Sequence, residues 1–354
     1  MNIIKSSELG LQRVRFGEQT GSLTIYDGLS TPFSDDTILL TKENREQIAQ
    51  FTEQAAAAFG PDEGPEPTYV QNELGLPSLV VRTDCTIIDG KIVPYEMEDS
   101  PSGQGITDKI HRGIGGVGIR DAILNHYLDQ VGQTPLVIVS GARGHGTDDD
   151  QVFGRSDYLF NTNNQPVETD RLVIVKAIPG DEGSRRPYMN LQSRALMPLV
   201  SEGDKTYLRR LGLMKSTRAA SDLLVDDQGN RASQVVKAQI GSMAMGVSIY
   251  LSNADKKRFT SASTVSASRL ERDMHSYVDQ MGGALVQPFY PPVAIENPEG
   301  RKNAILRVFS LLSRENGEIK ADVIGGCYVA RPELIVHGAS NAVSGAVIVE
   351  SGDI

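Results

Sequence analysis

The chain has no tryptophan and only two cysteines, Cys85 and Cys327, in 354 residues. The first absence weighs against a carbohydrate-stacking site. Cysteines so far apart make neither a disulfide framework nor a zinc set, and both are expected as buried packing residues in a reducing compartment. Positive charge is not in excess either: the formal net charge is −10, which argues against general affinity for nucleic acid or an anionic membrane. No apolar run reaches membrane-spanning length, and the opening MNIIKSSELG holds no apolar stretch of signal-peptide length. A cytoplasmic protein with small-molecule partners is the expectation. Local basic residues such as Arg185, Arg186, Arg209 and Arg210 suit small anionic substrates rather than polymers.

What is present is ordinary in bulk, 39% hydrophobic and 23% charged, and long enough for two or three subdomains. Lys42 to Phe59 has helical apolar spacing at Ile48, Phe51, Ala55 and Phe59, and Gly60-Pro61 stops it. Ser100 to Gly118 is rich in glycine and serine, a sign of backbone that approaches something closely or moves. Ile119 to Val131 predicts a helix, and PLVIVS and LVIVKA predict buried parallel strands, giving a small α/β unit over about 105–195. The glycine-rich GARGHG turn lacks the GK[ST] of a phosphate loop, and Asp148-Asp149-Asp150 reads as a solvated turn.

Chemistry concentrates in Val80 to Gly103. Arg82 and Asp84, two apart on a predicted strand, point to one face; Asp89-Gly90 signals a tight turn; Glu96 and Glu98 share a face of the return strand. If these faces coincide, three carboxylates and an arginine converge, and a hard divalent cation such as magnesium would relieve the repulsion. A solvated antiparallel edge that happens to be acidic is the other reading.

The second half predicts a helix opening at Asp204-Lys205 and a strand SQVVKA carrying Lys237. A glycine-bounded loop with Gly241 and Ser242 and a strand VSIYL come next. That order suits a hairpin lid over nucleotide phosphates, with Lys237 as a point charge. A helix from Thr264 to Met281, a strand ALVQPF ending in prolines, a strand from Asn303 to Leu312 bearing Arg307, and a last hairpin of Ile324–Ala330 with Leu334–Val336 complete the chain.

In this order the residues resemble the ATP-grasp superfamily, in its circularly permuted branch that includes glutathionylspermidine synthase. The permuted pattern R-x-D followed by E-x-N is met by Arg82-Thr83-Asp84 and Glu96-Met97-Glu98, with Glu98 in the place of the asparagine. The resemblance covers about residues 78–110 and 200–350 and implies a mixed α+β fold with antiparallel sheets and a glycine-rich lid hairpin. It implies Asp84, Glu96 and Glu98 as magnesium ligands and Lys205 and Lys237 as phosphate contacts. Gly241 and Ser242 would be lid donors, Val286 and Gln287 the adenine edge, and Arg307 and Arg82 the catalytic arginines. It divides the chain into a cap (1–75), the metal hairpin (76–105), an inserted α/β subdomain for substrate recognition (106–198) and the lysine, lid and adenine region (199–354). The implied activity is an ATP-dependent ligase joining a small-molecule carboxylate and an amine through an acyl phosphate. A kinase of the same fold and a catalytically silent nucleotide-binding module are the alternatives. Oligomeric state stays open, a homodimer included.

Overall fold

The computed structural model describes residues 3–5, 14–15, 21–26, 29–34, 36–58, 74–76, 78–98, 101, 103–140, 158–161, 173–177, 196–200, 206–210, 225, 232–238, 246–259, 264–281, 284–297, 300–335 and 342–350. Strands β1 (Ile3–Lys5), β2 (Val14–Arg15), β3 (Gly21–Tyr26), β4 (Leu29–Phe33) and β5 (Thr37–Leu40) lead into α1 (Lys42–Ala58). The hairpin of β6 (Val80–Ile88) and β7 (Lys91–Glu98) precedes α2 (Gln104–Gly113) and α3 (Arg120–Val131). Short strands β8 (Leu136–Ser140), β9 (Tyr158–Asn161) and β10 (Val173–Ala177) form a parallel sheet, as the PLVIVS and LVIVKA runs predict. Next come β11 (Leu196–Val200), β12 (Thr206–Arg210), β13 (Gln234–Ala238), β14 (Val247–Tyr250), α4 (Asn253–Lys256), α5 (Ala267–Met281) and β15 (Ala284–Pro288). The chain closes with β16 (Val293–Asn297), β17 (Gly300–Glu315), β18 (Glu318–Arg331) and β19 (Val343–Val349). The architecture is mixed α+β, with mostly antiparallel sheets.

An 11-stranded sheet dominates, centred on the long hairpin of β17 and β18. Asn316 (φ 51°) and Gly317 (φ 83°) make its turn, both left-handed as a two-residue hairpin requires. One edge of β17 is shared: Val293–Asn297 pairs with its first residues and β6 with Leu306 to Leu311. β18 pairs onward to β19, and β19 to β5 in parallel, so residues 37–40, within the expected cap, extend this same sheet.

Side chains alternate across β17, and the two faces are covered differently. Leu306 and Val308 meet Ile48 of α1 and Cys85, while Thr52 and Thr83 pair their hydroxyls at 3.0 Å. On the opposite face Cys327 and Val329 pack against Ile110 of α2. Helix α1 starts where Thr41 Oγ1 accepts the Asn44 amide. It also holds the β6–β7 turn: Asn44 Nδ2 donates to the Gly90 carbonyl at 2.9 Å, and Gln47 Oε1 accepts from the Ile92 amide at 2.9 Å.

A separate antiparallel sheet, ordered β14-β13-β15, carries α5 on one side through Leu270 and Met274 against Val236, Ala284 and Val286. Its other face bears Val235, Lys237 and Gln287, since Val235 and Gln287 are cross-strand partners.

Two expectations change. The helix expected to open at Asp204-Lys205 is a strand from Thr206, paired with β11, because cross-strand pairing of TYLRR with LMPLV overrides its local helix preference. Leu334 and Ile335 lie in bends after Pro332 rather than in a strand; proline cannot continue the ladder, and β19 takes the edge of β18 instead. The glycine-rich Ser100–Gly118 stretch contains α2, which begins directly after Gly103 in the left-handed region (φ 94°).

Candidate functional site

The site is built on the β6–β7 hairpin. Asp89 (φ 49°) and Gly90 (φ 77°) form the two-residue turn, and pairing runs Ile88 with Lys91, Ile87 with Ile92, Thr86 with Val93 and Cys85 with Pro94. Then the register shifts: Asp84 faces Glu96 and Arg82 faces Glu98, with Tyr95 as the extra residue of a bulge. Pro94, which has no amide hydrogen, stands at the break. The shift places Glu96 and Glu98 on the same face as Arg82 and Asp84. In an unbroken ladder from this turn they would stand opposite Thr83 and Val81, facing α1.

Across the sheet the charged side chains fall into rows. Cys327, Arg307, Asp84 and Glu96 are successive cross-strand partners, and so are Phe309, Arg82 and Glu98. Gly326 lets the two central strands close up beside Arg307, because a Cβ there would lie 1.9 Å from the Arg307 carbonyl. Arg82, 2% exposed, grips Asp84 with two bonds, Nε to Oδ1 at 2.6 Å and Nη2 to Oδ2 at 3.0 Å. The same Nη2 donates to Glu98 Oε1 at 2.5 Å. Burial alone would lower the Arg82 pKa, but Asp84 and then Glu98 more than offset it, so the guanidinium stays charged. Arg307 lies 3.7 Å from Asp84 by its Nε, which has no hydrogen-bond partner in the structure. Asp322, on the neighbouring strand β18, is engaged by Arg45 at 2.8 Å.

Lys237 arrives from the other sheet and meets Glu96 Oε2 at 2.9 Å. A strand-buried lysine needs an anion, and here the anion is a member of the acidic trio. The two sheets are also tied where the chain passes between them: Tyr95 donates to the Tyr290 carbonyl at 3.1 Å and Thr86 to the Pro291 carbonyl at 3.0 Å. The proline-rich step from β15 to β16 is thus fastened to the bulge of the hairpin.

Asp84, Glu96 and Glu98 each present a carboxylate oxygen within 4.8 Å of the others. Glu98 Oε2 is buried without a hydrogen-bond partner in the structure. An all-oxygen set with an unsatisfied buried carboxylate oxygen fits a hard divalent cation such as magnesium. Gln287 Oε1, on the Lys237 face of the smaller sheet, is likewise buried without a partner.

Burial pushes Glu98 up to about 7, against the pull of Arg82 and with help from Asp84 and Glu96. Because its folded pKa lies above its unfolded one, the folded state holds a proton longer, and stability falls as pH rises from about 4.5 to about 7. Glu98→Gln is therefore expected to be more stable than the parent at pH 8, by about 3 kcal/mol. The gap should close toward pH 4.5, as read by urea denaturation at both ends. A gain of the same size at both pH values would remove this account of Glu98.

Of the residues read from sequence, Arg82, Asp84, Glu96, Glu98, Lys237 and Arg307 are brought together. Val286 packs toward α5, and only Gln287 faces the Lys237 side. Lys205, Gly241 and Ser242 lie outside the described residues, as do GARGHG, Asp148 to Asp150, Arg185 and Arg186. Both cysteines are buried and free, as expected. Sequence reading missed Tyr95 and Thr86 as ties to the inter-sheet segment, although Pro94 inside a predicted strand was a usable sign of a bulge. Among the described residues no helix is long and apolar enough to cross a membrane. No family model matches the chain, and no curated protein matches it.

Proposed function

We propose that this chain is an ATP-dependent carboxylate–amine ligase of circularly permuted ATP-grasp type. The observation that carries the reading is the meeting of Lys237, from one sheet, with the Asp84, Glu96 and Glu98 trio and Arg307 on another. Phosphoryl transfer between two anions needs neutralisation and alignment more than it needs a base, and the site is a concentrated set of both charges. Asp84, Glu96 and Glu98 would hold magnesium, which when bound screens the β- and γ-phosphate oxygens. Arg82 orients two of these carboxylates through its hydrogen bonds to Asp84 and Glu98. Lys237 neutralises phosphate from the lid side. Arg307, whose Nε has no hydrogen-bond partner, would stabilise the oxyanion that develops when the amine attacks. In the reaction the substrate carboxylate takes the γ-phosphoryl group, releasing ADP. The amine nitrogen then bonds to the acyl carbon, phosphate leaves with the C–O bond electrons, and the nitrogen loses a proton. Lys205, Gly241, Ser242, Val286 and Gln287 would complete phosphate and adenine binding as the resemblance implies.

The test is to follow ADP and phosphate release from ATP and magnesium with pooled amino acids, small carboxylates and polyamines. Turnover that requires both a carboxylate and an amine is the expected result. Turnover with a single acceptor would replace the ligase by a kinase, and tight ATP binding without turnover would leave a silent nucleotide-binding module.

A further inference from the structure

We infer that the Lys237–Glu96 ion pair is a latch: with no cation bound, it plugs the metal site and holds the β13–β15 sheet against the hairpin. The swap of Lys237 from Glu96 to phosphate couples entry of the divalent cation to entry of the polyphosphate. The inference rests on the proposed function for the identity of the two ligands.

Every carboxylate of the trio already has a cation. Asp84 and Glu98 are held by Arg82, which sits on the same hairpin as Glu98 and next but one to Asp84. Asp84 also faces Arg307, fixed in the central strand of the large sheet. Lys237 differs from both, because it belongs to a different sheet and reaches Glu96 across the gap at 2.9 Å with 9% of its side chain exposed. The three formal positive charges and three negative ones balance. A divalent cation entering alone must break the Lys237 pair and leaves a buried ammonium facing added positive charge. An entering polyphosphate gives that ammonium a new partner, and the carboxylates are then released to the metal. The geometry provides a pivot for such a swap. Tyr95 and Thr86 hold the Tyr290 and Pro291 carbonyls, so the smaller sheet stays tethered beside the hairpin when the Lys237 contact opens. By linkage, each ligand then raises the affinity for the other by the same factor.

The test titrates the full chain with Mn²⁺ alone, reading free Mn²⁺ by electron paramagnetic resonance, for the parent, Lys237→Met and Lys237→Arg, and repeats it with a non-hydrolysable ATP analogue present. Lys237→Met should bind Mn²⁺ alone about tenfold more tightly than the parent. Lys237→Arg should behave like the parent, and the analogue should tighten Mn²⁺ binding to the parent but much less to Lys237→Met. Equal or weaker Mn²⁺ binding by Lys237→Met overturns the latch while leaving the metal site standing. Absence of Mn²⁺ binding in all proteins, with and without the analogue, overturns the proposed function itself. Amide exchange in the parent gives a reading that needs no variant to fold. Mn²⁺ alone should speed exchange in Gln234–Ala238 and Val247–Tyr250, and Mn²⁺ with the analogue should slow it. Slowing by Mn²⁺ alone overturns the latch.

Discussion

Asp84→Asn is expected to lower ATP turnover by on the order of a thousandfold or more, while leaving the fold in place. Asp84 stands in the row between Arg307 and Glu96, so under the proposed ligase reading it is the carboxylate that would link the metal to the arginine. The substitution preserves shape, and the amide oxygen can still accept from the Arg82 guanidinium. What it removes is one formal negative charge from a trio whose oxygens lie within 4.8 Å. A hard cation binds such a site largely through charge, so Mn²⁺ affinity should fall together with turnover. The circular dichroism spectrum should match the parent. Normal turnover in Asp84→Asn would remove the whole site assignment, because no other described carboxylate could replace it in that row.

Arg82→Met should instead be a stability variant, costing about 3–5 kcal/mol at neutral pH. Arg82 is 2% exposed, and it is the partner of both Asp84 and Glu98. Losing it leaves Glu98 without its cation and Asp84 with Arg307 at 3.7 Å, which is costlier than never having buried charges there. The loss should be reversible by further substitution. Adding Asp84→Asn and Glu98→Gln to Arg82→Met should restore most of the loss, since the triple variant has no orphaned carboxylate and leaves only Arg307, 17% exposed, without its ion pair. Guanidinium denaturation of the parent, the single and the triple variant decides the matter. A loss below about 1 kcal/mol, or no recovery in the triple variant, would mean that Arg82 is not what holds the carboxylates in place.

Much of this site was legible because its residue types are unusual where they stand. An arginine and an aspartate two apart in VVRTDCTII, and a lysine inside QVVKA, are expensive residues in apolar strands, and expense of that kind points to partners. Strand periodicity placed Arg82 with Asp84 and Glu96 with Glu98. It could not decide whether the two pairs face the same way, because that depends on a register shift that only Pro94 hints at. The helical reading after Lys205 failed for a related reason: residues 206–210 suit a helix locally, and their pairing with residues 196–200 is not local. The inter-sheet ties were hidden too, since Tyr95 and Thr86 donate to backbone carbonyls 195 and 205 residues away.

The bulged Tyr95 has a bearing on which kinds of genetic change this protein can tolerate. The turn at Asp89-Gly90 fixes the start of the ladder, so the side of the sheet reached by Glu96 and Glu98 depends on the number of residues between turn and site, odd or even. Deleting Tyr95 itself would leave an unbroken ladder in which Glu96 and Glu98 still stand opposite Asp84 and Arg82, at the loss of the tie to the Tyr290 carbonyl. Deleting another residue of the return strand while the bulge stays would deliver both glutamates to the α1 side, so the hairpin tolerates a change of a single codon in length only where the bulge absorbs it.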